Sequence, residues 1–204
     1  MAICHIIGAG DAAALPSQKE GDLIIAADGG YDALKDRGIT PNLLIGDLDS
    51  IRCVPSGTEI IRYPEKKDET DMHLAYLEGR RRGYSEFLIY GGTGGRSDHT
   101  YANYCLLHYI AKDGGRATLI DEFSTARVIC DGESVQLFSE CGTHFSVFAI
   151  GGEASGVNIL GGEYSAEGIS LTPEFPLGVS NRFSGSAVTV SVSRGALLII
   201  TDVR

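Results

Sequence analysis

The chain has 204 residues, of which 43% are hydrophobic and 22% are charged, a balance typical of a globular protein that buries a substantial core. Its net charge of −10 disfavours nucleic acid as a partner, because binding to the phosphate backbone requires a basic surface. No segment approaches the roughly 18 apolar residues of a membrane-spanning helix, and the five cysteines are widely spaced, so we expect a soluble cytoplasmic protein with free, mostly buried thiols.

The first part of the chain alternates short apolar runs with longer amphipathic segments, as expected of an α/β domain. Six apolar runs are predicted to be strands of a largely parallel sheet, buried on both faces. They cover residues 2–8, 22–28, 42–47, 59–63, 87–92 and 117–122.

Two segments between these runs have the pattern of amphipathic helices. In the first, Thr70 is a candidate N-cap, Asp71 lies in the first turn, and arginines fill the last turn before Gly83, which complements the helix dipole. The second lies within residues 97–115, where Gly114 provides a stop. Its predicted apolar face follows the i, i+3, i+4, i+7, i+8 spacing and consists of Ala102, Cys105, Leu106, Tyr109 and Ile110.

The pattern changes after about residue 123. Six short runs, rich in β-branched residues and separated by glycine, predict an antiparallel all-β unit without helices. We therefore expect an α/β N-terminal domain with a largely parallel sheet over residues 1–122. A C-terminal all-β antiparallel sandwich domain would cover residues 127–204, after a linker near residues 121–125.

Carboxylates follow several of the predicted strands. Asp28 ends the second strand, Asp47 and Asp49 end the third within the stretch GDLDS, and Asp68 and Asp71 follow the fourth. Because ligands of an open parallel sheet bind at the carboxyl ends of its strands, we expect these side chains along one rim. Like charges this close need a counter-ion, and oxygen ligands without cysteine or histidine favour Mg²⁺.

The GDLDS stretch has a second interpretation. If it stays extended, Asp47 and Asp49 point to the same side of the chain. An Asx-type turn would instead leave both carboxylates in water. The recurrence of carboxylates at other strand ends favours the cation site.

The stretch GGTGGRSDH, residues 91–99, follows the fifth strand and opens a helix. Its glycines, Gly94 and Gly95 among them, let backbone N–H groups approach a phosphate closely. Arg96 adds a planar guanidinium suited to phosphate oxygens, and His99 is placed to contact the same group. The alternative is a simple strand-to-helix turn.

Another glycine motif supports a rival function. GAGDAA, residues 8–13, follows the first strand, and Asp28 lies eighteen residues beyond Gly10, which together form a partial dinucleotide-binding signature. The rival is an NAD-binding oxidoreductase. Against it, Pro16 shortens the helix that should follow the glycines, and such a site has no use for Asp47, Asp49 and Asp71.

The remaining polar features are weaker. His5 lies within the first strand and is expected to be a hydrogen-bonded core residue. In the β unit, the polar loop GVSNRFSG, residues 178–185, is typical of a turn. Its Ser180 and Asn181 are alternatively placed to hydrogen-bond a ligand.

Five motifs together resemble those of the thiamine pyrophosphokinase (thiamine diphosphokinase) family. ADGG, GDLDS, DETD, GGTGGRSDHTYAN and the late GVSN occur in the family's order and at similar spacing, over nearly the whole chain. The resemblance implies an enzyme that transfers a diphosphate group from ATP to the hydroxyethyl group of thiamine, giving thiamine diphosphate and AMP. It also implies Mg²⁺ and a homodimer whose thiamine pockets lie between domains of opposite subunits. A non-catalytic nucleotide or thiamine sensor is the remaining alternative.

Carried over to this sequence, the resemblance implies a role for each motif residue. Asp47, Asp49 and Asp71 would surround Mg²⁺ and the ATP phosphates. The implied contacts to nucleotide and phosphate are Asp28, Asp68, Thr70, Gly94, Gly95, Arg96, Asp98 and His99. Asp71, Asp98 and Arg96 would act in catalysis, with Asp71 or Asp98 accepting the hydroxyl proton of thiamine. Ser180 and Asn181 would contact thiamine.

The chain departs from the family pattern near thiamine. Many members place a tryptophan there, and this chain has none, so ring stacking would fall to Phe183, Tyr164 or another group. The family's Tyr-x-Leu stretch reads YSA here, at residues 164–166. The details of the thiamine pocket are therefore left open by the sequence.

Overall fold

The structure is a computed structural model that describes residues 2–11, 15–17, 19–49, 51–53 and 56–203. It divides into two compact units. The first consists of Met1–Leu106 and Gly114–Glu122, and the second of Leu107–Asp113 and Phe123–Arg204. None of the helices in the described ranges is long and apolar enough to cross a membrane.

The described part of the first unit contains six strands that pair in parallel in the order β6-β5-β1-β2-β3-β4. They are β1 (Cys4–Ile7), β2 (Leu23–Ala27), β3 (Leu43–Gly46), β4 (Glu59–Arg62), β5 (Glu86–Tyr90) and β6 (Arg116–Ile120). Every residue of the first three is buried, which explains their unbroken apolar runs. The prediction of a largely parallel sheet is confirmed.

Three helices occur in the described residues: α1 (Gly30–Lys35), α2 (Asp71–Arg81) and α3 (Ser97–Lys112). Thr70 caps α2 as predicted, since its side chain accepts a hydrogen bond from the His73 amide at 3.2 Å.

The predicted apolar face of α3 is only partly correct, since Leu106 and Ile110 are buried but its other three members are not. Cys105 and Tyr109 are exposed, and the buried residues are Asn103, Leu106, Leu107 and Ile110. Asn103 belongs to the buried face because its amide donates a hydrogen bond to the Gly92 carbonyl at 2.7 Å. A search for apolar spacing alone could not include a polar residue that is buried through such a bond.

The second unit contains two antiparallel arrangements of strands, ordered β12-β9-β14-β7 and β11-β10-β13-β8. Their bounds are β7 (Ser124–Cys130), β8 (Ser134–Phe138), β9 (His144–Ala149), β10 (Ala154–Leu160), β11 (Ala166–Leu171), β12 (Asn181–Arg182), β13 (Ala187–Ser191) and β14 (Ala196–Asp202). The sequence did not predict β11 and β12. The first is an exposed edge strand with a glycine in its interior, and the second has only two residues.

Alternating residues of both arrangements meet in one hydrophobic core. Strand β9 shows the alternation clearly, with Phe145, Val147 and Ala149 buried. The Phe145 ring packs edge-on against Phe183, with ring centroids 5.3 Å apart. The β-branched alternation in the sequence therefore reflects a sheet with one face on a core.

The cysteines differ from expectation. All five are free, but only Cys4 is buried, whereas Cys53, Cys105 and Cys141 are exposed. The prediction of mostly buried thiols is wrong, because it rested on the average behaviour of cysteine rather than on local spacing. His5 is buried as predicted, with its Nε2 atom 3.3 Å from an oxygen of Asp22.

A buried carboxylate ties the end of α2 to the edge strand β4. Glu78 is 7% exposed and accepts hydrogen bonds of 2.6–2.7 Å from Arg81 and Arg82. Arg82 also donates to Glu59 on β4 at 2.6 Å. These hydrogen bonds, those from Arg81 first, lower the pKa of the Glu78 carboxyl from 4.5 to about 2.

We predict that Glu78→Gln destabilises the protein in a pH-dependent way. At neutral pH it should lower the free energy of unfolding by about 2 kcal/mol, since it weakens charge-assisted hydrogen bonds. Because the folded-state pKa lies below the unfolded value, this stabilisation is complete above pH 4.5 and is lost as the pH falls towards 2. Urea unfolding at several pH values measures the difference.

The matched control is Glu167→Gln, which removes an exposed carboxylate on β11. Its unfolding free energy should follow the wild type at every pH. A Glu78→Gln deficit that stays constant down to pH 3 would contradict the role assigned to the ionised carboxylate.

Candidate functional site

A cleft of about 310 Å³ lies in the first unit where the chain leaves the carboxyl ends of β1, β2 and β5. Its walls come from Gly8–Gly10, Ala27–Gly29, Thr70–Met72, and residues 91–96 apart from Thr93. Three residues of α3 complete the lining: His99, Thr100 and Asn103. This is the edge at which open parallel sheets bind ligands.

Three carboxylates converge beside this cleft. Oxygen atoms of Asp28, Asp47 and Asp49 lie within 4.8 Å of one another. The parallel register of β2 and β3 brings their ends together, and the Asp28 amide extends it by donating to the Ile45 carbonyl at 2.7 Å. Gly46 leaves the necessary space, because a Cβ atom there would lie 2.9 Å from the Cβ of Asp28.

The GDLDS loop reaches this arrangement by a turn. Leu48 has a positive φ of 68°, so the segment is not extended, and of the two conformations considered it adopts the turn. The Asp49 amide donates to Oδ1 of Asp47 at 3.2 Å, which is the hydrogen bond of an Asx-type turn. Leu48 and Ile51 pack against the core cluster of the parallel sheet. The turn therefore leaves these apolar side chains partly buried against the core, while Asp47 and Asp49 face Asp28.

The electrostatics of this cluster suit a hard cation. The charge of Asp47 is the main cause that raises the pKa of Asp49, with burial and the charge of Asp28 adding to it. A raised pKa indicates negative charge that nearby groups do not neutralise. Carboxylate oxygens are the ligands that Mg²⁺ prefers, so the residues present fit this ion.

Asp71 is separate from the three-carboxylate cluster. It lines the cleft at the start of α2, where its Oδ1 atom lies 3.0 Å from Nζ of Lys67 in an ion pair. Thr70 lines the cleft beside it, whereas Asp68 is exposed and lies outside the lining. Lys67 was not singled out in the sequence, although it lies in the same KKDETD stretch.

Arg96 and His99 both line the cleft, as do Gly94 and Gly95. Arg96 donates two hydrogen bonds to Asp98, from Nε at 3.1 Å and from Nη2 at 2.6 Å. Asp98 also accepts from the His99 amide at 3.0 Å. The Arg96 guanidinium is the largest cause that lowers the pKa of Asp98, which is itself exposed and outside the lining.

Two glycine-rich loops form one wall of the cleft by close backbone pairing. The Gly10 amide donates to the Gly91 carbonyl at 2.9 Å, and Asp11 donates to Thr93 at 2.9 Å. A Cβ atom at Gly8 would lie 2.6 Å from the Gly91 carbonyl oxygen. Glycines of GAGDAA thus join the wall of the same cleft as GGTGGRSDH. Among described residues 8–11, 15–17 and 19–22 none is helical, so the helix that a dinucleotide site places after its glycines is not seen there.

The second unit has its own pocket, of about 370 Å³ and largely apolar. Asn181 lines it, but its side chain is occupied: it donates to the Tyr164 carbonyl at 2.7 Å and accepts from the Tyr164 amide at 3.0 Å. Ser180 is exposed, adopts a positive φ of 59° and donates its amide to Ser146 at 3.1 Å. Ser180 lies next to residues of the lining without being one of them.

Only one of the two aromatic residues considered for ring stacking faces this pocket. Phe183 is 1% exposed within the core. Tyr164 lines the pocket, and 67% of it is exposed. Tyr164 is therefore the side chain available to a flat ligand.

Comparisons with known proteins agree with the motifs. A family model for the thiamin pyrophosphokinase catalytic domain matches residues 17–119, and one for the thiamin pyrophosphokinase vitamin B1 binding domain matches residues 134–197. The thiamine pyrophosphokinase of Bacillus subtilis is 29% identical over 187 residues, which cover 89% of this chain and 87% of that protein.

Several solved structures share the fold of this chain. A crystal structure of thiamine pyrophosphokinase from Bacillus subtilis has a TM-score of 0.86 at 25% identity and covers 99% of both chains. That from Geobacillus thermodenitrificans has a TM-score of 0.83 at 23% identity and covers 99% of this chain and 98% of its own. The Candida albicans structure shares the fold, with a TM-score of 0.78 at 16% identity, covering 99% of this chain and 89% of that one.

These findings give no support to an NAD-binding oxidoreductase or to a non-catalytic sensor. Both family models match, the first mainly in the first unit and the other in the second, and together they span most of the chain. The chain therefore belongs to the thiamin pyrophosphokinase family, the enzymes that form thiamine diphosphate from thiamine and ATP.

Proposed function

We propose that this enzyme transfers the diphosphate group with the help of Mg²⁺ held at the three-carboxylate cluster. The observation that carries the proposal is the convergence of Asp28, Asp47 and Asp49 within 4.8 Å beside the cleft. Bound there, the cation would neutralise charge on the transferring phosphate groups. Asp71, the fourth carboxylate, lines the cleft and would complete the acidic side of the site.

The glycine-rich wall of the cleft would bind the ATP phosphates. Gly94 and Gly95 line it with positive φ values, a conformation that lets backbone groups approach an anion closely. Arg96 and His99 provide side chains on the same wall. Transfer of this kind depends mainly on alignment and charge neutralisation, so these contacts would hold the phosphates in line with the thiamine hydroxyl.

The two candidate bases have different surroundings. Asp98 is exposed and bonded to Arg96 through both carboxylate oxygens. Asp71 lines the cleft. We therefore assign Asp98 to holding the Arg96 guanidinium and Asp71 to accepting the hydroxyl proton, since a base must reach the proton that it removes.

The pocket of the second unit would bind thiamine. Its apolar lining suits the aromatic rings, and Tyr164 would stack on them as the family's tryptophan does elsewhere. The Asn181 side chain acts through Tyr164, whose backbone it bonds at two atoms. Ser180 would contribute from the adjacent turn.

The proposed assembly is a homodimer with active sites shared between subunits. In it, an ATP- and Mg²⁺-binding domain over residues 1–122 would work with the partner's sandwich domain over residues 127–204. The matched regions at 17–119 and 134–197 support separate roles for the two domains. Free cysteines support a reducing, cytoplasmic location.

Product analysis tests the proposed reaction. With ATP, Mg²⁺ and thiamine, the enzyme should release AMP and thiamine diphosphate in equal amounts. Asp49→Asn should lower kcat by roughly 100-fold or more, because it removes a preorganised charge from the site, while Glu167→Gln should leave kcat unchanged. ADP as the sole nucleotide product, or near-normal turnover by Asp49→Asn, would contradict the proposal.

Substitutions at Arg96 and Asp98 test the assigned roles. Arg96→Ala should raise the KM for ATP by about tenfold or more and change the KM for thiamine little, since charge-assisted phosphate bonds are worth ~1.5–3 kcal/mol. Asp98→Asn should also raise the KM for ATP, but by less than Arg96→Ala does, and should change the KM for thiamine little. A large loss of kcat with unchanged KM values in Asp98→Asn would identify Asp98 as the base instead.

Substitutions at Tyr164 test the thiamine pocket. Tyr164→Ala should raise the KM for thiamine by about tenfold, the order that an aromatic contact with a cationic ring provides, and Tyr164→Phe should retain wild-type values. Asn181→Ala should resemble Tyr164→Ala. The control is Phe138→Ala, which removes an exposed aromatic of the same unit on β8. If Tyr164→Ala or Asn181→Ala raised the KM for ATP more than the KM for thiamine, the assignment of this pocket to thiamine would be contradicted.

The same variants report on shared sites. Mixing Asn181→Ala with Asp49→Asn should restore activity if subunits exchange, because mixed dimers would contain one intact site. No recovery after confirmed exchange would place each site within one subunit.

A further inference from the structure

The segment that follows the GDLDS loop is bound along helix α1. Arg52 is its main contact: Nε lies 3.2 Å from Oδ2 of Asp32, and Nη2 donates to both carboxylate oxygens of Asp36 at 2.7 Å. The Arg52 amide also donates to Oδ2 of Asp32 at 3.2 Å. Beside it, the Lys35 ammonium donates to Sγ of Cys53 at 2.6 Å.

These contacts join the two chain segments that carry the three-carboxylate cluster. Asp28 lies two residues before the start of α1, and Asp32 and Asp36 lie in its first turn and at its C-cap. Asp49 lies three residues before Arg52 in the other segment. The Arg52 contacts therefore link the segment that contains Asp28 to the segment that contains Asp49.

The cluster needs such a restraint. The three carboxylates repel one another, and the repulsion acts to move the GDLDS loop away from α1. Asp28 and Leu48 also have positive φ values, of 43° and 68°, which are strained for residues other than glycine and persist only where the surroundings impose them. Leu48 and Ile51 restrain the loop by packing against the core. Arg52 adds attraction between opposite charges.

We propose that Arg52 is a positioning residue that preorganises the three-carboxylate cluster for a divalent cation by holding the GDLDS segment against α1. The inference rests on the proposed cation site and adds a residue outside it. Arg52 does not line the cleft, and its guanidinium is directed to Asp32 and Asp36. By holding the two segments together, Arg52 limits the distance between the carboxylate of Asp28 and those of Asp47 and Asp49.

Fold stability alone would not require this arrangement. Arg52 and Asp36 are 59% and 61% exposed, and a surface ion pair of this kind contributes little to global stability. Asp32 is only 17% exposed, but it also accepts a hydrogen bond from the backbone amide of residue 52, which a substitution of the side chain does not remove. Removing Arg52 should therefore leave the fold intact and loosen only the loop. Unchanged stability together with weaker cation binding would therefore distinguish a positioning role of Arg52 from a structural one.

Binding of Mn²⁺, followed by electron paramagnetic resonance on the full chain without nucleotide, tests the proposal. Arg52→Ala should weaken Mn²⁺ binding by about threefold to tenfold, less than the ~10–100-fold typical of groups bonded directly to a metal ligand. Arg52→Lys should fall between Arg52→Ala and the wild type. Asp36→Asn should weaken binding in the same direction, and the Arg52→Ala/Asp36→Asn double variant should be no weaker than Arg52→Ala alone.

Arg116→Ala is the matched control. It also removes an exposed arginine from an ion pair, with Glu86 at 3.0 Å, but it lies at the amino ends of β5 and β6, opposite the cleft. Its Mn²⁺ affinity should equal that of the wild type. Wild-type affinity in Arg52→Ala, or equal weakening in Arg116→Ala, would overturn the role of Arg52 alone. Failure of the wild-type chain to bind Mn²⁺ would overturn the cation site as well.

Discussion

Repulsion among like charges is the constraint on which this site depends. The parallel register of β2 and β3 brings Asp28 and the GDLDS loop to one point, and Gly46 leaves the space for Asp28 to remain there. Three carboxylates within 4.8 Å are unfavourable in water unless a cation lies between them. The positive φ values of Asp28 and Leu48 add local strain. Binding a metal complex of phosphate would relieve the electrostatic part of this cost.

The glycine-rich wall of the cleft is formed by two loops whose backbones approach each other closely. The loops after β1 and β5 pair through Gly10 and Gly91, at a separation that leaves no room for a side chain at Gly8. Asn103 on α3 supports the second loop from inside through the Gly92 carbonyl. A wall made of backbone can contact phosphate oxygens from several directions, which suits a triphosphate. The antiparallel unit has a separate, largely apolar pocket that is lined by an exposed tyrosine.

The fold class and several site features followed from the sequence. Buried parallel strands such as β2 and β3 appear as unbroken apolar runs, and carboxylates at their ends share an edge because parallel strands end together. The Thr70 cap and the glycine stretch GGTGGRSDH could also be predicted, because each consists of contiguous residues. The order of five motifs then identified the family. The β11 edge strand was missed, since exposed polar strands carry no hydrophobic pattern.

Specific side-chain contacts were decided only by the tertiary structure. Asp71 stands apart with Lys67, while Asp28 joins Asp47 and Asp49. The Asn181 side chain donates a hydrogen bond to the Tyr164 carbonyl, and Phe183 is buried in the core. Arg52 is bound to Asp32 and Asp36, sixteen and more residues away. The sequence specifies which side chains follow each strand, because that depends only on the order of residues along the chain. The partner that each side-chain oxygen contacts depends on turn geometry and packing, and these are determined only in the folded chain.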